Sequence, residues 1–159
     1  QKLSTASLNR RIIFSCLLGV LMSTYALYVE MAVEAKPGYK ALCDLAEHAS
    51  CSKVLTSKYA KGLGLVDPES PLKVPNCVYG IIFYCIIIFL SKYYIILALV
   101  RLQIGLALTS LATCVYLAYL LIFVLQDFCV VCVSTYVFNF LTWFYSKTVV
   151  ENHTYTLVQ

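Results

Sequence analysis

Charge is what this sequence has least of for its length. Of its 159 residues, 13% are Asp, Glu, Lys or Arg and 61% are apolar, and the mean hydropathy is +0.81. Water-soluble domains run nearer half apolar and a quarter charged, so an ordinary soluble fold is excluded. The net charge of +4 is small and dispersed. With no basic stripe and no aromatic-basic module, nucleic acid is not an expected partner. Only two histidines are present, His48 and His153, neither with ligand-like neighbours, and no metal site is expected. Internal repeats and low-complexity tracts are also lacking, and the length is that of one domain, 1–159.

What the chain has in abundance is apolar sequence in runs near the roughly 20 residues a bilayer-crossing helix needs. Four spans are predicted, at about 12–29, 76–91, 102–125 and 128–146. The fold class is therefore an all-α integral membrane protein, a four-transmembrane-helix bundle. A hydrophilic segment, 30–75, lies between the first two helices as a luminal cap loop. The second span is short, with an extension through Tyr93 and Tyr94 open, and Arg101 is expected to snorkel at the edge of the third. The first run has the basic start of a signal peptide (Lys2, Arg10, Arg11). It is long for a signal core, however, and no Ala-x-Ala site follows, so it reads as a retained helix. The positive-inside tendency places both termini and the 91–101 connection in the cytosol. Six lysines in 30–75 run against it, softened by the loop's length and by Glu30, Glu34, Asp44, Glu47, Asp67 and Glu69. On this topology the sequon Asn152–His153–Thr154 is cytosolic and unused. Within the loop, the glycine-rich Lys61–Val66 is too short to span and suits an interfacial anchor. Pro68, Pro71 and Pro75 make the return irregular.

Eight cysteines fall into three groups. Cys16, Cys77, Cys85 and Cys114 lie in or beside apolar runs and read as small buried hydrophobes. Cys43 and Cys51 lie in the hydrophilic segment, where a purely structural disulfide is one reading. Cys129 and Cys132 form a Cys-x-x-Cys pair opening the last span, one helical turn apart. The positive end of a helix favours thiolate there. Tyr136 and Asn139 continue the same stripe, and polar groups at membrane depth are usually functional. The expected topology puts Cys43/Cys51 and Cys129/Cys132 on one membrane face. There they suit a two-stage relay, the outer pair meeting soluble thiols and the inner pair something in the lipid. A zinc site from these four cysteines would have unusual spacing. Exposed redox cysteines beside membrane spans point to the endoplasmic reticulum.

Several motifs carry a resemblance over nearly the whole chain: Tyr39-x-Ala41–Leu42–Cys43–Asp44, Ser50–Cys51–Ser52, Gly62-x-Gly64, Asn76-x-x-x-Gly80 with Phe83–Tyr84, Val115–Tyr116–Leu117–Ala118, and Asp127–Phe128–Cys129-x-x-Cys132-x-x-Thr135–Tyr136. The chain resembles the vitamin K epoxide reductase family, as its principal enzyme or a paralogue. That resemblance implies roles at matching positions. Cys43 and Cys51 would take electrons from luminal thioredoxin-like thiol oxidoreductases. Cys51 would attack Cys129, freeing Cys132 as the nucleophile toward the ring. Asn76 and Tyr136 would hydrogen-bond the oxygens of the naphthoquinone head group.

The resemblance further implies vitamin K quinone or its 2,3-epoxide as substrate, with no tightly bound cofactor, in the endoplasmic reticulum membrane. No Lys-Asp-Glu-Leu-type signal supports that address independently. The expected apolar walls are Val54, Leu55, Tyr59, Tyr79, Phe83 and Leu117, for each of which core packing is an equal alternative. Relatives carry larger aromatics at the positions of Leu55 and Tyr59 and Ser at that of Cys77. These departures bear on substrate preference and on sensitivity to coumarin anticoagulants. Asp44 would tune Cys43, dock a partner, or simply be solvated. Two other functions stay open: a quinone-linked disulfide generator for protein folding, and a non-enzymatic four-helix membrane scaffold.

Overall fold

α1 (Thr5–Ala35) begins where the Ser4 hydroxyl accepts the Ser7 N–H at 3.2 Å, a serine cap satisfying one of the free donors of a first helical turn. The computed structural model describes residues 4–158, so Lys2, counted above as cytosolic, lies outside the described residues. Four more α-helices follow: α2 (Cys51–Leu55), α3 (Asn76–Ser91), α4 (Leu97–Tyr119) and α5 (Val130–Val158). A 3-10 turn at Gly62–Gly64 lies between α2 and α3, and a π-helical stretch, Leu120–Leu125, extends α4. Among the described residues there is no strand beyond two isolated bridges, Ala46 with Ala49 and Lys61 with Pro75.

Two of these helical stretches, Thr5–Ala35 and Leu97–Leu125, are long and apolar enough to cross a membrane. α3 is apolar but only 16 residues, which at 1.5 Å per residue gives about 24 Å. The outer surface is apolar as well. Phe14, Leu17, Leu21 and Tyr28 form an exposed stripe on α1, and Ile82, Ile86 and Phe89 form one on α3. A surface this greasy is matched to hydrocarbon, not water. This is a membrane protein.

α1 is the central helix, packing against both α3 and α5, while α4 closes against α5 and α3. Small residues permit the close approach. Gly19 lies against the face of the buried Tyr84 ring, and Gly80 faces Ser23. Several polar side chains within the bundle are paired. Gln103 donates to Ser146 Oγ at 2.9 Å and accepts from Ser91 Oγ at 3.4 Å, linking α3, α4 and α5. Tyr84 donates to the Thr135 carbonyl at 3.2 Å. Two apolar clusters result. One holds Leu8, Ile12, Cys16, Tyr84, Ile87, Val100 and Val149. The other holds Ala26, Val29, Ala41, Cys51, Val54, Leu55, Leu121, Cys129 and Val131.

The helices outrun the hydrophobic segments that announce them. α1 continues past Val29 to Ala35, α4 starts at Leu97 ahead of Arg101, and α5 runs past Ser146 to Val158. The reason is that a charge ends a hydropathy run without breaking a helix. Lys147 and Glu151, 3.7 Å apart at an i,i+4 spacing, support the polar end of α5 instead. α3, by contrast, stops at Ser91, and Tyr93 and Tyr94 lie in the turn that follows. Of the cysteines expected as buried hydrophobes, Cys16 and Cys114 are buried and Cys77 is half-buried. Cys85 is exposed: its neighbour Tyr84 takes the inward position, which turns residue 85 to the outer face of α3.

The Gly19–Tyr84 contact makes a prediction. A methyl group at Gly19 has no room beside the ring, whereas nothing lies within 4 Å of one at Gly105. Gly19→Ala should therefore destabilise the protein by about 1–3 kcal/mol, the usual cost of overpacking. Gly105→Ala, on an open helix face, should hold or raise stability. Thermal unfolding in detergent checks both; equal Tm values would show that the close approach is not a constraint.

Candidate redox site

The inner cysteine pair is built by the start of α5. Cys129 closes its first turn, with its Sγ accepting the Cys132 N–H at 3.2 Å and its carbonyl accepting the Val133 N–H at 3.0 Å. Cys129 and Cys132 are disulfide-bonded, with Cα atoms 5.2 Å apart. Gln126, at φ +52°, ends the π-helical stretch with a left-handed residue and swings the chain into the new helix. The Phe128 N–H donates to the His48 carbonyl at 3.0 Å, tying this turn to the outer cysteine loop. Cys129 is completely buried; Cys132 is half-buried.

The outer pair, Cys43–Cys51, is also disulfide-bonded, with a Cα separation of 5.7 Å. Asp44 organises its loop. Its carboxylate accepts from the Ala41 N–H at 2.8 Å, Ser50 Oγ at 2.8 Å, the Ser52 N–H at 2.9 Å and Ser52 Oγ at 2.5 Å. Desolvation pushes the Asp44 carboxyl upward, but the hydrogen bonds from Ser52, Ala41 and Ser50 outweigh it and hold the pKa at about 2. Ser50 also caps α2 by accepting the Lys53 N–H. Asp44 is thus a staple across Cys43 and Cys51, a role invisible in sequence because it needs the fold of 41–52 to bring the serines to it. Cys51 is completely buried and belongs to the same apolar cluster as Cys129.

Beside this cluster lies a cavity of about 440 Å³. Cys132 is in its wall and Cys129 is not. The polar candidates Asn76 and Tyr136 line it, as do Val54, Leu55, Tyr59, Tyr79, Phe83 and Leu117. A second concavity, of about 530 Å³ between α1 and α5, has Arg10 and Arg11 in its wall but no cysteine.

Three polar groups differ in detail from their sequence reading. Asn76 is already engaged: its Oδ1 accepts the Leu63 N–H at 2.8 Å and its Nδ2 donates to the Tyr59 carbonyl at 2.7 Å. It pins the cap to the start of α3, keeping one N–H and one lone pair for a ligand. Asn139, the end of the polar stripe, is spent between helices. It donates to the Thr135 carbonyl at 3.0 Å and accepts from Ser110 at 2.7 Å. The Tyr136 hydroxyl has no hydrogen-bond partner among the described residues and is the freer donor. His153, assigned no role above, meets the Tyr94 carbonyl at 2.7 Å and fastens the end of α5 to the α3–α4 turn.

The cap itself is Gly62–Leu63–Gly64, three consecutive residues at positive φ. Glycine adopts this conformation freely; Leu63 does so under restraint, its N–H held by Asn76 and its carbonyl by the Tyr116 hydroxyl at 3.2 Å. Leu63 consequently lines the cavity, and Leu65, 73% exposed, is the side chain left to meet a membrane interface. Among the cavity-wall residues not singled out as site residues in the sequence are Glu30, Ser57, Leu63 and Thr135. Only Glu30, an acidic residue directly at the end of an apolar run, gave a signal that could have been noticed.

In chemical terms, one sulfur of each pair is buried in a shared apolar cluster, and the other sulfur of the inner pair opens onto an apolar chamber with a phenol and an amide. Comparison with known proteins agrees. A sequence model described as the vitamin K epoxide reductase family matches residues 10–147. Two proteins named vitamin K epoxide reductase complex subunit 1 are each 40% identical to this chain. One is from Mus musculus (128 residues aligned) and one from Rattus norvegicus (132 residues), and each alignment covers 78% of this chain and 79% of the relative.

The Asp44 staple is testable through pH and mutation. A carboxyl depressed from 3.8 to about 2 contributes stability that is fully present above pH 3.8 and is lost as pH falls through about 2. Asp44→Ala should leave the Ser50 and Ser52 donors unpaired, at a cost of about 1–3 kcal/mol, and should make Cys43–Cys51 easier to reduce. Thiol alkylation across a dithiothreitol series reads this; an unchanged midpoint would remove Asp44 as the staple.

Proposed function

Since the chain belongs to the vitamin K epoxide reductase family, we propose that it reduces vitamin K 2,3-epoxide and quinone to the hydroquinone, driven by a two-pair thiol–disulfide relay. The observation that carries this reading is the division of the inner pair: Cys132 lines the cavity, while Cys129 is buried with Cys51 in one apolar cluster. One sulfur addresses the ring and the other addresses the donor.

In this relay, reduced Cys43/Cys51 is generated by luminal thioredoxin-like oxidoreductases. The Cys51 thiolate attacks Cys129, forming a mixed disulfide and releasing Cys132 as thiolate; Cys43 then resolves the mixed disulfide and leaves the inner pair reduced. Cys132 delivers electrons to the ring, and Cys129 closes the disulfide again. Each cycle turns one dithiol into one disulfide as epoxide becomes quinone plus water, or quinone becomes hydroquinone. Tyr136 and the remaining Asn76 N–H are placed to donate to ring oxygens as these gain charge. Val54, Leu55, Tyr59, Tyr79, Phe83 and Leu117 supply the apolar walls. In so dry a chamber each polar contact counts for more than in water.

The topology that serves this chemistry is a single membrane domain, residues 1–159, with α1, α3, α4 and α5 as four spans in the endoplasmic reticulum. Residues between α1 and α3 cap the luminal side and the termini are cytosolic. Leu55 and Tyr59, smaller than the aromatics of relatives, together with Cys77, make coumarin sensitivity a property of this particular cavity wall. A second reading, quinone-linked disulfide formation in client proteins, uses the same relay in the same electron order, with client thiols as the donors and the quinone as the sink. The Lys53 and His48 surface beside Cys43–Cys51 favours protein contact there, so both readings have soluble thiol proteins delivering electrons at one point.

Cys132→Ser should abolish reduction of both epoxide and quinone in dithiothreitol-driven membranes, while expression persists. Cys51→Ala should impair turnover driven by a protein dithiol far more than turnover driven by dithiothreitol. In Cys43→Ser/Cys132→Ser protein, a Cys51–Cys129 link should be recoverable by non-reducing mass spectrometry. Full turnover in the Cys132 variant would sink the assignment.

A further inference from the structure

The cavity wall contains a polar corner that the relay does not use. Glu30, near the end of α1, is 2% exposed and lines the cavity, yet its Oε1 makes no hydrogen bond. Ser57, just after α2, lines the same cavity, and its buried Oγ likewise has no partner. The titratable groups facing Glu30 are Lys61 of the cap, Glu34 of its own helix and Cys77 of α3. Lys61 Nζ is 3.6 Å from Glu30 Oε1 but only 2.7 Å from Glu34, and Cys77 Sγ is 3.9 Å from Glu30 Oε2. Lys61 sits closer to Glu34, so the Glu30 carboxyl has only the longer of the two ion pairs and no hydrogen bond at Oε1. An ionised carboxylate in that setting is expensive, and a protonated one is the cheaper occupant. Ser57 and Glu30 together offer a ligand oxygen one hydroxyl and one carboxylic acid.

We propose that Glu30 and Ser57 form an oxygen subsite at which the ring receives a proton on reduction, Glu30 giving it and Lys61 connecting the carboxyl to water. The inference rests on the reductase reading and deepens it. Reducing the quinone takes two electrons and two protons. The Cys129/Cys132 dithiol supplies the electrons as its S–S bond forms, and it releases two protons. The Cys132 thiol lines the cavity and its proton goes to one ring oxygen; Cys129 is outside the cavity wall, so its proton has no direct route to the other. Glu30 closes that gap. Its O–H bond breaks as a ring O–H forms, and the carboxylate left behind is stabilised by Lys61. It then regains a proton from water at the Lys61 side, where that side chain is 36% exposed, while the thiol proton departs to water. The sum stays quinone plus dithiol to hydroquinone plus disulfide. Ser57 orients the oxygen by donating to it. The carboxylate is then an acceptor for the new phenol hydroxyl, which the oxidised ring cannot offer.

The test is the first turnover of the dithiothreitol-reduced full-length protein with quinone, followed across pH. Glu30→Gln should slow it about a hundredfold with KM moved less than about threefold, the signature of a lost proton donor. The loss of rate at high pH expected of the wild type should disappear with it. Ser57→Ala should give a smaller loss in the same direction. A Glu30→Gln profile that overlays the wild type, or a change confined to KM, overturns the proposal. Where Glu30→Gln does not accumulate, Lys61→Gln reads the same group: removing the facing cation must displace the pH at which the first turnover fades. An undisplaced limb overturns the proposal equally. If the wild type reduces neither epoxide nor quinone, the reductase reading fails instead, and Cys132→Ser separates the two cases.

Discussion

The packing of α2 against the opening turn of α5 is the contact on which the rest depends. It buries Cys51 and Cys129 in one apolar cluster with Ala26, Val29, Val54, Leu55, Leu121 and Val131. Sulfur exchange demands approach within bonding distance, and a flexible loop alone would meet that demand rarely. Here hydrophobic burial holds the two pairs together. The hydrogen bond from Phe128 to His48 fastens the two segments on their polar side.

Polar groups around this cluster are used economically. Asn76 and Asn139 line the cavity, yet each is engaged with backbone or a neighbouring helix, as Tyr116 and Gln103 are elsewhere in the bundle. In a bilayer such ties replace the hydrogen bonds that water would otherwise provide. The polar atoms without partners at the cavity wall are correspondingly informative, because the fold had means to satisfy them and did not. Glu30 and Ser57 stand apart from the rest for that reason.

Much of the site was legible in the sequence. Cys-x-x-Cys spacing requires only a helix start to bring two sulfurs onto one side, and α5 begins at Val130, directly after Cys129. The apolar candidates from Val54 to Leu117 line one cavity. Helix ends were not legible. Hydropathy reports where hydrocarbon lies, whereas Arg101 and Lys147 are good helix residues that mark no boundary. The backbone ties of Asp44 and Asn76 were hidden for a related cause. An Asp beside a Cys suggests thiol tuning and an Asn beside a helix start suggests a ligand contact, and neither residue declares backbone partners that only folding brings near. Cys85 was misplaced because inward and outward positions along so uniformly apolar a helix cannot be told apart by composition.

None of the four hydrogen bonds to Asp44 involves sulfur. Opening the Cys43–Cys51 bond therefore leaves the clasp around it intact, and the two thiols remain neighbours instead of drifting apart with the chain. Their effective concentration toward each other stays high, so the loop can pass between its oxidised and reduced forms with little rearrangement. In the proposed relay, a carrier that barely recoils would accept electrons from one partner and surrender them to the next without refolding in between.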